Sequence, residues 1–137
     1  MITQLTKEYK NEELFEILHP FVRQWFQNKF GTFSLPQKYA IMDIHSRKNI
    51  LISAPTGSGK TLAAFLSILN ELVDSSEKGI LEDKVYAVYV SPLKALNRDI
   101  SVNLLEPLQE MQEQYKESNE KIDLLLFDPL PYTSNHQ

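Results

Sequence analysis

Residues Ala54-Pro55-Thr56-Gly57-Ser58-Gly59-Lys60-Thr61 follow directly on the apolar run Asn49-Ile50-Leu51-Ile52-Ser53 and lead directly into Leu62-Ala63-Ala64-Phe65-Leu66-Ser67-Ile68-Leu69. A strand, a turn of small residues and a helix in that order form the setting in which a phosphate-loop pattern acquires chemical meaning. Small residues let the backbone wrap an anion, so that several N–H groups point inward and the new helix adds its positive dipole end. In such a cradle Lys60 reaches the β- and γ-phosphates of a nucleotide, and Thr61 offers its hydroxyl to Mg²⁺. Ala54, Thr56, Gly57, Ser58 and Gly59 supply the wrapping backbone. Ala54 stands where the strict pattern has glycine, and its small side chain leaves the turn intact at negative φ. A glycine- and serine-rich loop without chemistry is the alternative.

At 137 residues the chain is about one small domain, and 42% hydrophobic content is enough for a core. A net charge of −4 gives no general attraction to nucleic acid, so any such binding rests on a local basic stretch. The absence of cysteine excludes disulfides, thiol catalysis and a cysteine-ligated zinc site. His19, His45 and His136 lie far apart without ligand-like spacing. No apolar run reaches the length of a membrane span, and the N-terminus lacks a signal-peptide pattern. The expectation is a soluble cytoplasmic protein.

Residues 1–13 are polar and charged and are expected to be flexible. A helical segment follows over 14–48. His19-Pro20 opens one helix, with Phe21, Val22, Trp25, Phe26 and Phe30 at helical spacing and Gly31 as its stop. Ser34-Leu35-Pro36-Gln37 opens the next with a capping box. Strands are expected over 50–53, 84–90 and 122–127. Helices are expected from Gly59 to about Val73 and from Leu93 to about Leu105, with a restart or kink at Pro107 and continuation to about Ser118. The βαβαβ order over 49–127 implies an α/β fold with a parallel sheet flanked by helices, and residues 128–137 read as an irregular tail. Ligands on such sheets bind beyond the carboxyl ends of the strands, an edge that carries both the phosphate loop and Ser91-Pro92.

Leu18-His19-Pro20, Trp25-Phe26, Phe30-Gly31, Gln37, the stretch Ala54 to Leu66, and Tyr89-Val90-Ser91-Pro92-Leu93-Lys94-Ala95-Leu96-Asn97-Arg98-Asp99 together resemble the N-terminal end of a superfamily 2, DEAD/DEAH-like helicase of the large helicase-related (Lhr) type. The likeness covers roughly residues 14–105. It implies a first RecA-like ATP-binding domain, here partial over 49–127, with ATP and Mg²⁺ as cofactors. It also implies coupling of ATP hydrolysis to movement along nucleic acid, with DNA favoured. In this family a glutamine upstream of the loop reads adenine, and Gln37 matches it; its carboxamide offers both a donor and an acceptor. The capping box is the competing use of the same side chain. Phe15 is the nearest match to an aromatic that stacks on adenine, and ordinary core packing is its alternative. Ser91, Pro92, Lys94, Asn97 and Arg98 match the motif that holds a single-stranded DNA or RNA backbone through its phosphates, against the alternative of a solvated amphipathic face.

Glu110, Glu113, Glu117 and Glu120 read as a solvated helix surface without chemistry. ATP hydrolysis needs carboxylates for Mg²⁺ and for the attacking water, and no acidic pair follows residue 100. The family's second RecA-like domain, with its arginine finger, is not evident in the sequence either. The expectation is an N-terminal fragment that holds ATP without efficient turnover, whose partners are nucleic acid and the rest of a helicase. A non-catalytic interaction module and a small-molecule kinase or GTPase are the rivals. No guanine-reading Asn-Lys-x-Asp supports the last.

Overall fold

Aromatic residues at helical spacing dominate the centre of the molecule in the computed structural model, which describes residues 2–117. Helix α1 (Asn11–Glu16) supplies Leu14, and α2 (Pro20–Lys29) supplies Val22, Trp25 and Phe26, all buried. Phe26 stacks on Phe33 at 4.4 Å between centroids, and Phe15 lies 4.7 Å from Phe33. Against this layer pack α3 (Leu35–His45), through Ala40 and Ile41, and α4 (Lys60–Glu77). Leu62, Leu66, Leu69 and Val73 of α4 recur every three or four residues and form its buried stripe. Helix α6 (Glu106–Glu117) closes the other side with Leu108 and Met111. Burying each large side chain contributes about 1.5–3 kcal/mol, so this cluster is what holds the helices together.

Polar ties fix the orientation of the elements. Trp25 Nε1 and Lys29 Nζ both donate to Glu110, at 2.8 and 2.6 Å, joining α2 to α6. Burial pushes the Glu110 carboxyl upward, but the bonds from Lys29 and Trp25 and the charge of Lys29 outweigh it and hold the group below its ordinary range. Glu110 is therefore an anchor, whereas the sequence pattern placed it on a solvated face. His19 ties α2 to α4. Its backbone N–H donates to Asn70 Oδ1 at 2.6 Å, its Nδ1 caps α2 by accepting from Phe21 N–H, and its Nε2 meets Glu77.

Helix α1 begins at Asn11, inside the stretch 1–13 expected to be flexible, and the other expected helices form with two adjustments. Helix α4 runs one turn past Val73, to Glu77, before Gly79 turns the chain at φ +68°. The helix from Leu93 divides into α5 (Leu93–Ile100) and α6, joined by a π-helical turn, Ser101–Leu105. Pro107 explains the break: it lacks an N–H and its ring collides with the carbonyl four residues back, so the wider turn ahead of it relieves the conflict. Residues 2–10 form no regular element, and Tyr9 N–H donates to the Lys38 carbonyl at 3.0 Å.

The parallel sheet is where structure and sequence part. Among the described residues there is no β-strand: 50–53 and 84–90 belong to no regular element, and Leu51, Val85, Val88 and Val90 are 78–89% exposed. A strand persists only when a neighbour takes its backbone N–H and C=O groups, and neither segment has one here. The third expected strand, 122–127, and the expected tail, 128–137, lie outside the described residues. No helix among the described residues is long and apolar enough to cross a membrane.

His19 carries a pH dependence. Burial lowers its pKa from 6.5; Glu77 and Asp74 pull it up, Lys78 and Arg23 push it down, and burial prevails. The neutral ring is the form that accepts from Phe21 N–H. As pH falls, the unfolded chain takes the proton first, so His19's contribution is complete above about pH 7 and is lost as pH drops through 6.5 towards the lowered value. Thermal melts of the wild type and His19→Asn, whose side chain can still cap α2, are expected to differ most above about pH 7, with the difference narrowing as pH falls below 6.5. A constant difference across that range would contradict this role.

Candidate functional site

The loop from Ala54 to Gly59 is shaped by two left-handed glycines, Gly57 at φ +82° and Gly59 at φ +85°. Side chains resist this region, so the turn depends on glycine at both positions. Ser58 N–H closes the turn onto the Pro55 carbonyl at 3.2 Å. Gly59 is the N-cap of α4, yet no side chain caps the helix and no carboxylate lies in its first turn. The leading N–H groups of a helix have no intrahelical acceptor, so this end offers donors and a positive dipole to an anion. Lys60 Nζ folds back to the Ala54 carbonyl at 2.7 Å and spans the mouth of the loop. Thr61 follows in the first turn of α4, half-buried. The Ser58 hydroxyl is buried with no hydrogen-bond partner among the described residues.

The start of α3 grips the opposite side of this turn. Ser34 Oγ donates to the Ser58 carbonyl at 2.6 Å, and Gln37 Nε2 donates to the Gly59 carbonyl at 3.0 Å. The capping box forms as well, with Ser34 N–H donating to Gln37 Oε1 at 2.8 Å. Gln37 is only 4% exposed, and both ends of its carboxamide are engaged. One Nε2 hydrogen and one Oε1 lone pair remain for any other partner. Ser34 is the functional residue that sequence reasoning missed as a loop contact. Its place in the capping box was legible, but its reach to residue 58 depends on how α3 and α4 pack.

Phe15 lies among the core rings of Phe26 and Phe33, 6.1 and 4.7 Å away, where packing accounts for it. A cavity of about 1020 Å³ adjoins the loop but touches only Ala54 and Pro55 of it. Residues 2–5, α3 and the segment 49–53 line the rest. Gln37, Lys60 and Thr61 do not line it, so the cavity lies beside the apolar segment and meets the loop only at its start.

Ser91 and Pro92 precede α5, where Lys94, Asn97 and Arg98 are all exposed. Their spacing places them on one face within about 100° of arc. Neither Lys94 nor Arg98 forms an ion pair among the described residues. Among the described residues no group of acidic, histidine or cysteine side chains is arranged to hold a metal ion.

A family model described as DEAD/DEAH box helicase matches residues 34–126, which include the grip, the loop and α5. The chain belongs to the DEAD/DEAH box helicase family. It is 58% identical over 113 residues to the ATP-dependent helicase Lhr-Core protein 2 of Thermococcus barophilus, covering 82% of this chain and 13% of that protein. It is 52% identical over 122 residues to the ATP-dependent helicase Lhr-Core of Methanocaldococcus jannaschii, covering 89% and 14%. With the Lhr-Core helicase of Saccharolobus solfataricus it shares 48% over 125 residues, covering 90% and 14%. The chain thus spans about one-seventh of the length of these curated relatives. No solved structure matches it. Family membership implies a RecA-like fold.

The two glycines of the loop are distinguishable. A Cβ on Gly59 would lie 2.4 Å from Gln37 Nε2 and 3.2 Å from Ser34 Oγ, whereas one on Gly57 would meet nothing within 4 Å. Gly57→Ala is expected to cost about 1–2 kcal/mol from backbone strain alone. Gly59→Ala adds the clash and the broken grip, for a total of roughly 3 kcal/mol. Urea unfolding compares them, and equal losses would contradict the grip.

Proposed function

We propose that the chain is the ATP-binding part of a nucleic-acid helicase motor, with the cradle Ala54, Thr56, Gly57, Ser58, Gly59, Lys60 and Thr61 holding ATP–Mg²⁺. The observation that carries this reading is the uncapped start of α4 beneath two left-handed glycines, with Lys60 parked on the Ala54 carbonyl. A triphosphate competes well for that lysine, because a charge-assisted bond to phosphate is stronger than one to a neutral carbonyl. Thr61 would hold Mg²⁺ through its hydroxyl, and the ion would neutralise phosphate charge when bound. Gln37 recognises the adenine edge with its remaining donor and acceptor while it continues to brace Gly59.

In this reading 50–53 and 84–90 become strands of a parallel RecA-like sheet once neighbouring strands pair with them, as their β-branched, apolar pattern favours. Ser91, Pro92, Lys94, Asn97 and Arg98 hold a single-stranded backbone, favoured as DNA, through phosphate contacts that read no bases. Oligonucleotide binding that weakens with added salt is the direct readout. Binding is the property assigned to these residues; turnover also calls for carboxylates and a second domain.

ATP–Mg²⁺ is expected to raise the melting temperature, with a stabilisation of about 2.7 kcal/mol once free ligand exceeds its Kd by about a hundredfold. Lys60→Ala removes most of that rise at the same concentration. Equal rises in both proteins, or none in the wild type, would overturn the assignment.

A further inference from the structure

Helix α5 buries none of its own side chains, and it runs on into the π-helical turn Ser101–Leu105, which packs against α4 and, through Leu104, against the core. The apolar residues of α5 itself give little help, and Leu93 is 84% exposed. A further tie to α4 comes from Tyr89, just ahead of the helix. The Tyr89 ring packs on Phe65 at 5.0 Å between centroids. Phe65 is 3% exposed and lies one turn beyond Thr61 in α4. The Tyr89 hydroxyl donates to Asp99 Oδ2, in the last turn of α5. Asn103 Nδ2, within the π-helical turn, donates to the Asp99 carbonyl at 3.0 Å. Asp99 is thus held at both ends, its side chain by Tyr89 and its main chain by Asn103.

The chemistry of this tie suits a permanent anchor. The bond to Asp99 pushes the phenol's pKa up, burial and the Asp99 charge add to this, and a bond with Ser91 opposes it. Tyr89 therefore remains a donor throughout the neutral range. Asp99 lies about 100° around the helix from Arg98, so the anchor grips α5 beside its cationic face and leaves that face open.

We propose that Tyr89 is a positioning residue: by joining Asp99 to Phe65 it fixes the Lys94, Asn97 and Arg98 face of α5 relative to the phosphate-loop helix. The inference rests on the reading of that face as a nucleic-acid contact. It adds that affinity there depends on a tyrosine that touches no phosphate.

Tyr89→Phe keeps the ring on Phe65 and removes only the hydroxyl. Binding of a fluorescent oligothymidylate at low salt is expected to weaken about three- to tenfold, the effect of one lost hydrogen bond. The slope of log affinity against log salt stays at the wild-type value, because no phosphate contact is lost; Arg98→Ala lowers both affinity and slope. Asp99→Asn and Asp99→Ala carry the same charge, and only the first retains an acceptor for the hydroxyl. Asp99→Asn is therefore expected to bind tighter than Asp99→Ala, and adding Tyr89→Phe to Asp99→Ala has no further effect. Hydrogen exchange over 93–100 should speed up in Tyr89→Phe while α4 and α6 are unchanged, a readout that needs no nucleic acid. Unchanged affinity and exchange in Tyr89→Phe would overturn the proposal. So would a reduced salt slope, which would make Tyr89 a direct contact. Faster exchange in a protein whose wild type binds no oligonucleotide would overturn the nucleic-acid reading and this inference with it, while leaving the ATP assignment intact.

Discussion

Two hydrogen bonds, from Ser34 Oγ to the Ser58 carbonyl and from Gln37 Nε2 to the Gly59 carbonyl, hold the phosphate loop in its present form. Together they contribute on the order of 1–3 kcal/mol, far less than the helical core. Their importance lies in direction. Two carbonyls of the turn are taken by protein donors, which leaves the N–H groups at the start of α4 as the unsatisfied part of the loop. An anion is the natural complement to that arrangement.

The core makes this grip possible without a sheet. Helices α3 and α4 are held by the aromatic layer of α2 and by Leu108 and Met111 of α6, and the His19 and Glu110 ties add orientation. The start of α3 consequently meets the start of α4 even though 50–53 and 84–90 are unpaired. The elements that position the loop are helical, while the segments that lead into the loop and into α5 remain unpaired and largely exposed. This division explains why the turn from Ala54 to Gly59 keeps its shape while the segments beside it are unpaired.

Local rules made much of this legible. The Ser34–Gln37 capping box, Pro20 at the start of α2, the buried spacing of Val22, Trp25 and Phe26, and the glycines of the loop each follow from interactions within a few residues. The family was legible too, because the loop and the Ser91 to Asp99 stretch carry its pattern together. Long-range geometry was not. Strand propensity at Val85, Val88 and Val90 reports suitability for a sheet and says nothing of whether neighbours are present. Glu110 looked solvated because its partners, Trp25 and Lys29, lie on another helix. For the same reason no spacing rule links Ser34 to residue 58, or Tyr89 to Phe65.

The most direct test is a titration of the isotope-labelled chain with ATP–Mg²⁺, followed through its backbone amide resonances. The amides of Gly57, Ser58, Gly59, Lys60 and Thr61 are expected to shift together and saturate with one affinity, and Lys60→Ala is expected to abolish the response. Shifts confined to residues away from the loop, or a response that survives Lys60→Ala unchanged, would contradict ATP binding by the loop.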